Sequence, residues 1–206
     1  MRNPLSRSRL RRLRPTRLRA SLRKRETLDL FAMPVPGPGP TADPARSLED
    51  ATAEVLRQMR RDYPKDLNER KIGILLARLD DPADQTLIIR DEHGEPCGYC
   101  HITRGDTVNA RIRFPLRVRP HQAYLWDDHV FIAHRRRGLH AFSIARRIEL
   151  LEQEGRTEAL TIISRPNVAS RTSYAAFGMV RRRELVYVPD LKRTFALPTS
   201  RKVPGV

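Results

Sequence analysis

Val130 to His140 reads V-F-I-A-H-R-R-R-G-L-H, and Asn167 to Met179 reads N-V-A-S-R-T-S-Y-A-A-F-G-M. The first stretch is a strand end that turns through arginines and one glycine into the start of a helix. Ala141, Ile144, Ala145, Ile148 and Leu151 then recur at helical spacing and make a buried stripe, with Arg146, Arg147, Glu149, Glu152 and Glu154 expected in solvent. Gly155 suits a C-terminal cap. Ala159 to Ser164 (A-L-T-I-I-S) reads as a central strand, and Pro166-Asn167 opens a second helix with Asn167 as N-cap. A helix that follows a strand directly presents amide donors with no partner at the positive end of its dipole. Arg135, Arg136 and Arg137 add charge there, so the expected ligand is a phosphate or pyrophosphate.

Working outward, R-R-R-G-L-H (Arg135 to His140) resembles the (Q/R)-x-x-G-x-(G/A) loop of the GCN5-related N-acetyltransferases, the GNAT family. The later stretch resembles that family's motif of an Asn seven residues before a Tyr, followed by a glycine–hydrophobic pair. Two positions depart from the pattern: His140 stands in place of Gly or Ala, and Arg136 where a small residue is frequent. The resemblance implies a GNAT-like α/β domain with a mixed, mostly antiparallel, twisted sheet flanked by helices. It also implies acetyl-CoA as co-substrate and no metal. The cofactor contacts would come from Val130, Arg135, Arg136, Arg137, Gly138, Leu139, His140, Asn167 and Tyr174. Tyr174 would be the general acid for the leaving thiolate, since a phenol is a sensible donor to a thiolate of similar basicity; the alternative is a half-buried anchor with a satisfied hydroxyl.

A length of 206 residues suits one domain with a tail. We divide it into a basic extension over 1–25, a domain over 26–198 and a short tail over 199–206. The formal charge is +16, but residues 1–25 hold 11 basic residues and no acid, which leaves 29 basic against 24 acidic residues for the remainder. Charge is therefore concentrated in the extension. It reads as a solvated segment packing a few leucines, as a nucleic-acid contact, or as a contact with an anionic membrane. No apolar run approaches transmembrane length, and arginines interrupt every candidate signal segment. Two cysteines make no disulfide framework, which points to a reducing, cytoplasmic setting. Cys97 and Cys100 fall in a strand pattern that sends them to opposite faces, and no second pair completes a zinc site.

Glu26 to Met33 alternates as a first strand. The Pro- and Gly-rich stretch 34–44 must be irregular. Ser47 looks like an N-cap for a helix through Leu48, Ala51, Val55 and Met59, and Asp66 with Glu69 for a second helix. Strands are expected at 85–90, 96–103 and 124–132. The stretch 104–120 reads as an edge strand or a loop fringed with arginine, suited to an acidic acceptor or to a charged, guarded edge. Two short strand pieces should lie around R-R-R-E in 180–188; in 189–206 Leu191, Phe195 and Leu197 are the candidates to pack, and the end should fray.

Asp127, Asp128 and His129 are unusual inside a central strand, because burying charge without a partner is costly, and the two aspartates have opposite facings, so at most one looks into the cleft. One of them is a candidate base for an incoming ammonium. Alternatively, the pair marks a bulged strand end whose polar groups meet solvent or cap backbone. The function expected is transfer of an acetyl group from acetyl-CoA to a primary amine by direct attack, the acceptor being a small molecule or a protein. The alternative is an acyl-CoA-binding or degenerate module carried to nucleic acid or membrane by the extension. The molecule would be a monomer or homodimer.

Overall fold

The computed structural model describes residues 24–198; the expectations for the basic extension before residue 24 and for the tail over 199–206 lie outside the described residues. One eight-stranded sheet forms the domain, in the order β10-β9-β1-β8-β7-β4-β3-β2. Its strands are β1 (Glu26–Pro34), β2 (Ser47–Asp50), β3 (Asp84–Arg90), β4 (Pro96–Thr103), β7 (Gln122–Val130), β8 (Glu158–Ser164), β9 (Val180–Val188) and β10 (Arg193–Pro198). Every neighbouring pair is antiparallel except β7 and β8. Those two run parallel and pair only from Gln122 opposite Glu158 to Tyr124 opposite Leu160. Beyond that point the sheet has no ladder between its two central strands.

Helices α1 (Ala53–Asp62) and α2 (Glu69–Arg78) cover one face, and α3 (Leu139–Gln153) and α4 (Val168–Ala175) the other. The face under α3 and α4 buries Phe31, Met33, Leu125, Phe142, Ile148 and Ile163. Opposite it, Leu56, Leu75, Ile88, Tyr99 and Phe131 pack beneath α1 and α2. A hairpin of β5 (Thr107–Asn109) and β6 (Phe114–Leu116) seals the rest of that face with Ile112, Leu116 and Val118. Its alternate arginines, Arg111, Arg113, Arg117 and Arg119, are exposed, so charge stands out where the apolar residues turn in.

Several local expectations are corrected. Ser47 starts an edge strand on β3 instead of a helix; the Ala51 amide bonds to Thr86, and Thr52 provides the cap, its hydroxyl accepting from Val55 at 3.2 Å. Asn68, not Asp66, caps α2, accepting from Lys71 at 2.9 Å. Asp66 is used in tertiary structure, at 3.0 Å from His129 Nε2. Val180 to Val188 is one strand, not two pieces; residues 193–198 extend the sheet as β10, on which Phe195 and Leu197 stay exposed instead of packing. A register shift between Ile89 and Arg90 breaks the alternation near Cys97, so Cys97 and Cys100 both enter the core under α3. Among the described residues no helix is long and apolar enough to cross a membrane.

Candidate active site at the parted strands

The gap between β7 and β8 is framed by a bulge. Between the pairs Tyr99–His129 and His101–Trp126, two residues of β7, Asp127 and Asp128, stand against Cys100 alone. Asp127 takes φ 51, a left-handed conformation that Asp tolerates better than most residues. Gly98 is required beside it: a Cβ there would lie 2.2 Å from the carbonyl oxygen of His129. The two carboxylates project to opposite sides of the sheet, as strand neighbours do.

Asp127 faces α2. Lys71 Nζ lies 2.6 Å from it, and Arg78 binds the same oxygen. Burial works against ionisation, but these two cations hold its carboxyl below the usual carboxylate range. Arg78 also donates to His101 Nε2 at 3.0 Å and lies over the Trp126 ring. Burial first, and then the neighbouring guanidinium, push the His101 imidazole down to about 3, so this ring stays neutral.

Asp128 faces α3 and α4. Its Oδ2 accepts from the Tyr174 hydroxyl at 2.6 Å and lies 3.1 Å from His140 Nε2. Its Oδ1 is 2.8 Å from Arg147 Nη1, close enough for an ion pair but off the angle of a hydrogen bond, so it is left without a hydrogen-bond donor. Arg147 has 0% exposed side-chain area, contrary to its expected place in solvent. It is anchored by the carbonyls of Ser143 and His101, both at 3.0 Å, and donates to the Tyr174 hydroxyl at 3.3 Å. Burial would raise the Asp128 carboxyl; Arg147 and then His140 outweigh it and hold the group well below its ordinary range. Tyr174 is 2% exposed, and its burial pushes the phenol well above its ordinary value. Arg147 is the residue of this cluster that the sequence reading missed.

The basic turn meets the start of α3 next to this cluster. Gly138 is the N-cap with φ 75, and Arg136 has φ 63. Among the described residues, no protein acceptor takes the amides from Arg136 to Ala141; the first bonded amide of α3 is Phe142, to the Gly138 carbonyl. Arg46 Nη1 lies 3.6 Å from the position a Gly138 Cβ would occupy. Its Nε is buried with no hydrogen-bond acceptor, although Asp43 and Glu92 carboxylates lie 3.4 and 3.6 Å away. A cavity of about 340 Å³, walled by Arg46, Leu48, Arg146 and Glu149, adjoins the turn.

The arginines divide their work. Arg136 is exposed, Arg137 pairs with Asp91 and Glu92, and Arg135 Nε donates to the Val130 carbonyl at 3.2 Å. Leu139 is buried in the core. His140 turns its ring edge-on to Tyr174, with centroids 5.6 Å apart. Asn167 caps α4, its Oδ1 accepting from the Ser170 amide at 3.1 Å.

No protein-family model matches the sequence, and no curated protein matches it. Solved structures do match in fold. One is a GCN5-related N-acetyltransferase from Sphaerobacter thermophilus, with TM-score 0.54 and 11% identity over 94% of this chain and 58% of that one. A second is a GCN5-related N-acetyltransferase from Kribbella flavida, with TM-score 0.50 and 15% identity over 80% of this chain and 56% of that one. A third is a putative GNAT-family acetyltransferase from Novosphingobium aromaticivorans, with TM-score 0.50 and 16% identity over 79% of this chain and 63% of that one. This chain therefore spans between 56% and 63% of the length of these three structures. Its fold is that of the GCN5-related N-acetyltransferases.

Proposed function

We propose that this chain is an acyl-CoA-dependent N-acyltransferase acting on a primary amine. The observation that carries the reading is the opening of the sheet between β7 and β8 beside the unpartnered amides from Arg136 to Ala141. Those amides, the dipole of α3 and the Arg46 guanidinium suit a diphosphate. The cofactor supplies an acyl group activated as a thioester; the rest of the chemistry falls to the chain.

Backbone N–H groups near Val130 would polarise the thioester carbonyl as the amine attacks. Arg135 must release the Val130 carbonyl if a pantetheine amide is to pair with it. Tyr174 stays protonated, but with its phenol raised well above the ordinary value it is a weak acid where it stands; it would have to turn from Asp128 to give its proton to the departing thiolate. Asp128 and Arg147 fix the phenol in place. Asp127 and Asp128 are both held ionised by cations, which makes them weak bases. The amine is therefore expected to lose its proton to water before it attacks.

A second reading is a CoA-binding module without turnover. The 2% exposure of Tyr174 and its bond to Asp128 favour it. Thiol release from acetyl-CoA with a panel of primary amines, measured alongside CoA binding, separates the two. Release supports the enzyme; saturable binding without release supports the module.

A further inference from the structure

A sulfur–nitrogen–oxygen cluster lies on the other side of the basic turn, outside the proposed cleft. It joins Cys97 on β4, His134 in the 3₁₀ turn after β7, and Asp91 just past β3. All three are buried, and their ligand atoms lie within 4.8 Å of one another. The sequence reading considered Cys97 only with Cys100, its neighbour in the chain. Folding gives it two quite different companions.

The imidazole and the carboxylate are each aimed by a second group, and the Cys97 thiol donates to the Glu95 carbonyl at 3.2 Å. His134 Nε2 is 3.0 Å from the Tyr63 hydroxyl, which donates to Glu95 Oε1 at 2.9 Å. With the phenol's hydrogen committed to Glu95, Nε2 carries the ring hydrogen and Nδ1 the lone pair. Nδ1 points at Cys97, with Sγ at 3.2 Å. Asp91 Oδ1 accepts the amides of His93 and Glu95, both at 3.0 Å, leaving Oδ2 for the cluster. Imidazole and carboxylate ligands of metals are oriented by outer partners in this way.

The centre is occupied by a cation already. Arg137 donates from Nη1 to His134 Nδ1 at 3.2 Å, and from Nη2 to Asp91 Oδ2 at 3.1 Å and Glu92 Oε1 at 2.8 Å. The Arg137 side chain is 36% exposed, so it can swing into solvent without disturbing the core.

We propose that Asp91, Cys97 and His134, with Glu92 as fourth ligand, form a site for a divalent cation of the zinc type, and that Arg137 occupies its centre until the metal displaces it. Thiolate and imidazole select a borderline cation over magnesium or calcium. One thiolate, one imidazole and two carboxylates make a four-coordinate set. As the sulfur–metal bond forms, the thiol proton leaves to solvent and the Arg137 guanidinium withdraws. The dication's extra charge over the guanidinium is matched by the new thiolate, so the net charge of the cluster is unchanged.

The test is a titration of Co²⁺ into the chelator-treated full chain under reducing, anaerobic conditions, without coenzyme A. It therefore reads this site independently of acyl transfer. A thiolate-to-cobalt charge-transfer band with the strong visible bands of tetrahedral Co²⁺, bleached by Zn²⁺, is expected. Cys97→Ser should abolish the charge-transfer band. Arg137→Ala, a surface change that spares the core, should tighten Zn²⁺ binding by about tenfold or more, since it removes the competing cation. Absence of the band, its persistence in Cys97→Ser, or unchanged or weaker Zn²⁺ binding in Arg137→Ala would overturn the assignment.

Discussion

The Tyr174 hydroxyl donates to Asp128 Oδ2 at 2.6 Å, joining α4 to the bulge of β7 across the strands that part. A phenol in this position is buried and protonated, and it is also engaged. Removing its oxygen tests both consequences. Tyr174→Phe should lower thiol release by about 100-fold while leaving CoA binding within a few-fold. It should also cost about 2 kcal/mol of folding stability, because a hydrogen bond to a buried carboxylate is lost. Steady-state kinetics with a denaturant titration checks both; full turnover in the variant would remove the phenol from the chemistry.

Arg147 and Asp128 are a buried ion pair, and such pairs are costly to break from one side. Arg147→Met should destabilise the domain by about 3–5 kcal/mol, because it strands a buried carboxylate. Adding Asp128→Leu to that variant should recover about 2 kcal/mol or more. Urea unfolding of the native chain and the two variants makes the comparison. A double variant no more stable than Arg147→Met would show that the pair contributes chiefly through packing.

His101 gives a pH dependence of definite sign. Its folded value is pushed down to about 3, whereas an unfolded His titrates near 6.5. The unfolded chain therefore binds the extra proton between these limits, and stability is complete above about 6.5 and declines as pH falls. The slope should reach about 1.4 kcal/mol per pH unit between roughly pH 6 and 4. The depressed carboxyls Asp127 and Asp128 add their losses only below about pH 4. His101→Gln should flatten the upper window alone; an unchanged slope would assign the dependence to other groups.

Gly98→Ala should destabilise the domain by about 1–3 kcal/mol, since a Cβ would meet backbone at 2.2 Å, where no side chain can move aside. The same change should disturb the bulge and so reduce turnover beyond the loss of folded protein. Normal stability would mean that β4 and β7 can separate here freely.

What the sequence revealed and what it hid follow from distance along the chain. The strand–turn–helix over 130–153 and the Asn167 cap are local devices, and both lie where their residues place them. The helix that ends at Asp62 was started too early, at Ser47, because Leu48, Ala51, Val55 and Met59 fit one helical stripe, while nothing local shows that β3 offers an open edge to Ser47–Asp50. Arg147 was hidden for the same reason. A charged residue in an amphipathic helix belongs in solvent unless a buried partner awaits it, and Asp128 is supplied by another strand. His134 and Asp91 beside Cys97 are equally non-local. The oddity of Asp127-Asp128 and their opposite facings were legible; the bulge was one of two readings, and the cations that meet each carboxylate come from other elements.

The central claim is that the amides around Gly138 hold the diphosphate of coenzyme A. Calorimetric titration of coenzyme A into the native chain and into Gly138→Asp tests it most directly. A φ of 75 strains any side chain, but aspartate adopts positive φ more readily than most residues, so circular dichroism of the variant accompanies the titration to show that the fold survives with a carboxylate at the anion site. The account predicts saturable binding by the native chain, weakened by about 100-fold in the variant, the equivalent of nearly 3 kcal/mol. No binding at millimolar coenzyme A, or equal affinity in the two proteins, would contradict it.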